Sequence, residues 1–76
     1  MTAQISEIVR NNAKFLREHW RDLLKYKGKF VAIYNGEVIG VSDNYFELLE
    51  QLKSKGYDLR YVDIEYIPNE NYVLIA

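Results

Sequence analysis

The basic side chains of this chain are concentrated in its first third, in a pattern that could bind phosphates. Five of them recur at steps of four, three, four and four residues, which places them on one side of an α-helix. Such a ridge can follow a nucleic-acid backbone, because each cation that neutralises a phosphate releases a counterion. A solvated helix face, or a contact with an acidic protein surface, would show the same pattern. This basic ridge comprises Arg10, Lys14, Arg17, Arg21 and Lys25.

A matching acidic row, Asp43, Glu47 and Glu50, recurs at steps of four and three. Residues 1–30 carry seven basic and three acidic side chains, whereas residues 31–76 carry three basic and eight acidic ones, although the formal net charge of the chain is only −1. Opposed charges of this kind can orient a partner protein or a second copy of the chain. The same acids would also stabilise the N-terminus of a helix without any partner.

The first segment also carries a candidate contact seam. Its apolar residues recur at three- and four-residue steps and cover roughly 180° of a helix, which is wider than the stripe needed to pack on one sheet. Asn12 and His19 fall inside this stripe, where polar side chains can fix the register of a dimer, or else form hydrogen bonds within the monomer. His19 would add pH sensitivity. The predicted dimer or partner seam comprises Asn12, Leu16, His19, Trp20 and Leu23.

The chain offers little for catalysis or metal binding. It has no cysteine and one histidine, which excludes thiolate nucleophiles and the common transition-metal clusters. His19 has no serine in a strained Gly-x-Ser-x-Gly turn to activate. Asp63 and Glu65 could hold a hard cation or act as a carboxylate pair, but alternation predicts that they point to solvent. We therefore predict no catalytic residue, cofactor or metal, and no enzyme activity.

Local patterns predict the first four elements. A helix over residues 2–26 is followed by two β-branched runs joined by Asn35-Gly36, the sequence that a type I′ hairpin turn requires. In the simplest register Ile33 lies opposite Val38, with Ala32 opposite Ile39 and Phe30 opposite Val41. A second helix follows an N-cap at Asn44 and ends at Gly56. Its expected buried stripe consists of Tyr45, Phe46, Leu48, Leu49 and Leu52.

The remaining chain predicts two more strands. Alternation over residues 61–67 favours a third strand with Val62, Ile64 and Tyr66 inward, and residues 72–76 favour a fourth strand. A right-handed crossover through the second helix is expected to place the third strand parallel to the first. The expected architecture is one α+β domain, with an amphipathic helix over residues 1–27 and a ββαββ unit over residues 29–76. Its four-stranded mixed sheet has the order 2-1-3-4.

Length and hydropathy limit the setting in which the chain acts. Seventy-six residues are enough for one small domain with a shallow core. The first residues carry charges where a signal peptide would be apolar, and no apolar run exceeds four residues. We therefore expect a cytoplasmic protein without a membrane span.

Several short motifs between Trp20 and Pro68 occur together. Residues 26–32 have the pattern Tyr-x-Gly-Lys-aromatic-Val-Ala, an Asn-Gly turn follows, and the second helix closes with Lys-Gly-Tyr. On these motifs the chain resembles an uncharacterised family of short prokaryotic domains, many of them archaeal. Phe30 stands where that family usually has tryptophan, and the residues after Pro68 have no counterpart in it. The resemblance implies a shared fold and brings no catalytic or ligand-binding residues.

These features predict a small non-catalytic interaction or accessory protein that acts through protein contacts as a homodimer. The alternative is a nucleic-acid-associated regulator, of an antitoxin-like kind, that uses the basic ridge.

Overall fold

A computed structural model describes residues 5–69 as an α+β fold, which confirms the expected class. Two short 3₁₀ helices, η1 and η2, accompany two α-helices and three strands. In chain order the elements are α1 (Ile5–His19), η1 (Trp20–Tyr26), β1 (Lys29–Tyr34), β2 (Glu37–Ser42), α2 (Tyr45–Ser54), η2 (Leu59–Tyr61) and β3 (Asp63–Ile67).

The sheet formed by the described residues has three strands in the order β2-β1-β3, and β1 is antiparallel to both neighbours. The expected order of the first three strands is therefore confirmed, whereas the expected parallel pairing of the third strand with the first is wrong. A crossover helix makes the two strands that it joins parallel to each other. Because α2 joins β2 to β3, those two strands run the same way and β1 runs opposite between them. The fourth strand predicted over residues 72–76 lies outside the described residues.

The β1–β2 hairpin has the predicted turn but a shifted register. Asn35 and Gly36 have φ of 51° and 81°, as a type I′ turn requires. Ile33 pairs with Val38 as expected, whereas Ala32 pairs with Gly40, and Phe30 pairs with Ser42 instead of Val41. Ile39 is thus an extra residue in β2, a β-bulge that resets the alternation of its side chains.

Both faces of the sheet are covered, as the apolar residues on both sides of the hairpin predict. Val31, Ala32 and Ile33 of β1 all have 0% exposure. Val31 and Ile33 pack with Leu23 on the α1 side, and Ala32 packs with Leu48 and Leu52 of α2. The bulge lets Val38 and Val41 both join the first cluster while Ile39 joins the second.

The predicted long helix changes its winding at Trp20. His19 has φ −125° and ψ 15°, outside the helical region, and the chain continues as a 3₁₀ helix. Residues three apart are stacked in that geometry. Leu23 and Tyr26 therefore both reach the core, while Leu24 is left 42% exposed.

Local hydrogen bonds define both ends of α2. The Asn44 side chain accepts from the Glu47 N–H at 3.0 Å, and the Ser42 hydroxyl accepts from the Asn44 N–H at 3.1 Å. At the other end Gly56 has φ 86°, and the N–H groups of Gly56 and Tyr57 bond to the carbonyls of Lys53 and Leu52. This is the Schellman arrangement, so both predicted boundaries of the helix are confirmed.

Candidate functional site

Two neighbouring clefts lie between the N-terminal helical segment and β3. α1 packs on β1, at the centre of the sheet, so one face of the edge strand β3 is left partly open. The first cleft has a volume of about 290 Å³ and the second about 240 Å³. We call the two clefts together the α1–β3 groove. The helical side is formed by Val9, Asn12, Ala13, Leu16, Trp20, Leu23 and Leu24, and the sheet side by residues 60–68.

The helical side of the groove is apolar and open to solvent. Val9 is 53% exposed, and Trp20 and Leu24 are each 42% exposed. Ile8 on the neighbouring face of α1 is buried at 5% exposure. The wide apolar stripe of the sequence therefore consists of two parts, one that packs on the sheet and one that lines the groove.

The sheet side of the groove carries two carboxyl groups. Glu65 pairs with Val31 and Asp63 pairs with Ile33, so the acids share the sheet face of these two core residues. The prediction that both acids point to solvent is wrong, because both are half-buried on the α1 side. Alternation correctly placed the two acids on the same face of β3. Their burial was not predicted, because both faces of β3 carry partly buried side chains.

Asp63 and Glu65 interact directly. The hydrogen bond that protonated Glu65 donates to the Asp63 carboxylate, burial, and the negative charge of Asp63 together raise the pKa of Glu65 from 4.5 to about 7. Two adjacent carboxylates repel each other unless they share a proton. Glu65 therefore takes up a proton as the pH falls through about 7, and a cation that entered the groove could replace it.

Arg60 lines the same cleft as Asp63 but is held by another acid. Its guanidinium lies 2.8 Å from the Asp58 carboxylate and 5.3 Å from the Tyr61 ring centre. The hydrogen bond to Arg60 lowers the pKa of Asp58. The positive charge nearest to the groove is thus already bonded to a carboxylate.

The five residues of the predicted seam lie in different environments. Asn12 is 4% exposed and Leu23 is 3% exposed, so both belong to the interior of the monomer. Leu16 packs at the margin of the core and lines the groove together with Trp20. His19 is exposed, with Nδ1 3.2 Å from the Asp22 carboxylate.

Asn12 joins three parts of the chain. Its Nδ2 donates to the Tyr61 carbonyl at 3.1 Å, and its Oδ1 accepts from the Gly36 N–H at 3.2 Å. The side chain therefore links α1 to the hairpin turn and to η2. The hypothesis that such a polar residue hydrogen-bonds within the monomer is correct for Asn12.

The basic ridge does not continue past α1. Arg10, Lys14 and Arg17 are exposed on α1, but Arg21 and Lys25 belong to η1. Four residues turn about 40° past a full circle in an α-helix and about 120° in a 3₁₀ helix, so the last two cations leave the line of the first three. Arg21 lies over the Trp20 ring at 5.4 Å instead.

The acidic row is exposed beside a row of aromatic rings. Asp43 precedes the N-cap, so only Glu47 and Glu50 lie on α2 itself. The rings run from β3 through β1 to the first turn of α2, with centres 5.0, 5.5 and 5.6 Å apart. We call them the aromatic strip, which comprises Tyr66, Phe30, Tyr45 and Phe46.

The aromatic strip was missed at the level of sequence. Tyr66 was expected inside but is 51% exposed, and Phe46 and Tyr45, expected in the buried stripe of α2, are 75% and 40% exposed. Leu48 and Leu52 alone are fully buried on that helix. Phe46 lies about 160° from the buried Leu48 around the helix axis, on nearly the opposite side of α2. This angle, available from the sequence, was the signal that could have revealed the exposure of Phe46.

Within residues 5–69, no three histidine or carboxylate side chains come together as a group able to hold a metal ion. No helix in this part of the chain is long and apolar enough to cross a membrane.

The fold and the groove define a small α+β domain whose exposed features are apolar and aromatic surfaces beside charged rows. Residues 22–70, well over half of the chain, match the model of a family of unknown function, DUF5678, and the chain belongs to this family. This confirms the expected uncharacterised family, while the hairpin-entry motif and the archaeal origin stay predictions. The matched range begins in η1, so α1 lies outside it. No curated protein and no solved structure is significantly similar to the chain.

Proposed function

We propose that the protein is a small non-catalytic interaction protein that acts as a homodimer, with the α1–β3 groove as the dimer contact. The observation that carries this proposal is the row of exposed apolar side chains along the groove, with Trp20 and Leu24 each 42% exposed and Val9 53% exposed. Tryptophan is the residue most enriched at the energetic centre of protein interfaces. Covering this row would remove the largest apolar exposure of the N-terminal segment from water.

Each cleft of the groove can accept a side chain. The volumes of about 290 and 240 Å³ are at or below the low end of the roughly 300–1,000 Å³ of pockets that enclose small-molecule ligands. In a two-fold dimer the same surface is used by both subunits. Trp20 of each subunit would then enter the groove of the other.

The charges around the groove suit this arrangement. Arg21 lies over the Trp20 ring and would travel with it towards the partner. There it would meet the Asp63–Glu65 pair, in which the pKa of Glu65 is raised in the monomer. A cation beside the pair favours loss of that proton, so dimer formation would lower the raised pKa of Glu65.

Light scattering tests the dimer. The wild-type protein should have twice the 9.0 kDa mass of one chain, at low and high salt. Trp20→Ala should weaken dimerisation about 30-fold, as expected for loss of an interface hot spot of about 2 kcal/mol. Phe46→Ala, on the other face of the sheet, is the matched control and should leave the mass unchanged. A monomeric wild-type protein at all concentrations would refute the dimer.

The second candidate function, a nucleic-acid-associated regulator, is supported by the three exposed cations of α1. Reversing Lys14 and Arg17 to glutamate should abolish retention of DNA or RNA without changing the mass. Lys53→Glu on α2 is the matched control. If the wild-type protein retains neither nucleic acid at low salt, this candidate is wrong.

A further inference from the structure

The aromatic strip packs on the α2 face of the sheet; Tyr66 also lines the second cleft of the groove, but the proposed dimer does not use Phe30, Tyr45 or Phe46. α2 is ten residues long and contacts the sheet through Leu48 and Leu52, over the centre of β1 and β2. Phe30 packs at the margin of this cluster and contacts the rings of both Tyr45 and Tyr66, but Tyr66 and Phe46 stay 51% and 75% exposed. One wall of the strip is therefore open to solvent.

The charges at the exposed start of α2 are acidic. Asp43, Glu47 and Glu50 are exposed there, and the next cation along the helix is Lys53, seven residues after Phe46. Glu50 follows Phe46 by four residues, which makes them neighbours on the helix surface, and Asp43 and Glu47 lie at the same end of α2. The helix N-terminus contributes only about half a positive charge, which these acids exceed. The rings thus lie in a negative field.

We propose that the aromatic strip binds an arginine-bearing segment of a partner protein, whose guanidinium groups stack on Phe46 and Tyr45 while they pair with Glu47 and Glu50. Aromatic faces carry partial negative charge and attract cations. Arginine fits better than lysine, because its planar, weakly hydrated group stacks on a ring while its N–H groups reach a carboxylate.

Two other occupants fit these observations less well. Exposed rings can stack on nucleobases, but the three acids of the row would repel the phosphates. The cations of α1 on a second copy would make a heterologous contact, which builds rings or open chains of subunits, whereas the proposed dimer closes through one shared surface.

A binding experiment with a simple probe tests the proposal. The probe is a short peptide of alternating arginine and glycine, and its control has glutamine in place of arginine. With the full-length ¹⁵N-labelled protein, the arginine peptide should shift the amide signals of Phe30, Tyr45, Phe46 and Tyr66. The glutamine peptide should bind at least about tenfold more weakly.

Variants assign the site. Phe46→Ala should weaken binding of the arginine peptide about fivefold, the effect of one lost cation–π contact. This variant should fold, because Phe46 is 75% exposed and alanine favours a helix. Glu47→Gln with Glu50→Gln should weaken binding about threefold or more and flatten its salt dependence. Val9→Ala, exposed in the groove, is the matched control and should bind as the wild type does.

Four results would overturn the proposal. Two concern the peptide: the arginine peptide does not bind to the full chain, or the Phe46→Ala variant binds it as tightly as the wild type does. The other two concern different occupants: oligothymidylate binds more tightly at the same signals, or the mass of the protein grows with concentration and is reduced by Phe46→Ala. The mass of the Phe46→Ala variant separates this proposal from the dimer. Loss of peptide binding with an unchanged dimer mass supports the strip alone, and loss of the dimer in Trp20→Ala with intact peptide binding concerns the groove alone.

Discussion

Replacing Asn12 with alanine should destabilise the monomer more than any other single polar deletion on α1. Asn12 is 4% exposed, and its amide bonds to the Tyr61 carbonyl at 3.1 Å and to the Gly36 N–H at 3.2 Å. The substitution leaves both backbone groups without this partner. An unsatisfied buried backbone group costs about 1–3 kcal/mol, and here both groups are only partly buried. We therefore expect a loss of about 2–4 kcal/mol in the free energy of unfolding.

Urea unfolding followed by Trp20 fluorescence and by circular dichroism measures this loss. Asn11→Ala is the matched control, because Asn11 bonds to the Asn35 side chain at 2.8 Å in an exposed position. An exposed hydrogen bond exchanges readily with water, so the control should lose less than about 1 kcal/mol.

An Asn12→Asp variant tests the donor separately. A carboxylate keeps the acceptor for Gly36 but cannot donate to the Tyr61 carbonyl, whereas a protonated carboxyl can do both. The variant should therefore be unstable at pH 7 and regain stability as the pH falls towards 4. A loss below about 1 kcal/mol in Asn12→Ala, equal to that of the Asn11 control, would refute the assignment of Asn12 as an internal link.

Three further predictions concern the groove and the core. The pKa of Glu65 is raised from 4.5 to about 7 in the folded monomer, so its contribution to stability is present below about pH 4.5 and is lost as the pH rises through 7. Unfolding of dilute, monomeric protein between pH 4.5 and 8 should show this fall in the wild type, and Glu65→Gln should flatten it; equal slopes would contradict the carboxyl pair. Gly40→Ala should lower the free energy of unfolding in urea by about 1–3 kcal/mol, because the added methyl would lie 2.9 Å from Leu48 Cδ1. An unchanged urea midpoint would show that α2 can move away. Trp20→Ala should lower monomer stability by only about 2 kcal/mol, less than the 3–5 kcal/mol typical of a fully buried aromatic, and a larger loss in dilute protein would mean that Trp20 supports the core.

Elements that depend on neighbouring residues could be predicted from the sequence. Asn35-Gly36 specifies the hairpin because few other pairs tolerate positive φ at both positions. Asn44 and Gly56 specify the ends of α2 for equally local reasons, an Asx side chain at the N-cap and a left-handed residue at C′. The apolar residues on both sides of the hairpin also correctly predicted cover on both faces.

The candidate sites depended on contacts between distant residues and were predicted less well. The spacing of the basic ridge predicts one line of cations only if the first 25 residues form a continuous α-helix. Packing of Leu23 and Tyr26 on the sheet accompanies a 3₁₀ helix instead, and its tighter turn moves Arg21 and Lys25 off the line of the first three cations. The polar position of Asn12 was noticed, but its partners are 24 and 49 residues distant along the chain. No spacing rule connects such residues.

The sequence determined the elements that nearby residues specify: the amphipathic N-terminal segment, the hairpin with its turn, the capped second helix, and the separation of basic from acidic residues along the chain. The tertiary structure decided which faces those elements present. Packing α1 on β1 leaves β3 open and places Asp63 and Glu65 at the groove, and Tyr66 and Phe46 stay exposed because α2 buries only Leu48 and Leu52. The physical reason is that periodicity specifies the residues that share a face, whereas exposure depends on the position and length of the element packed against that face.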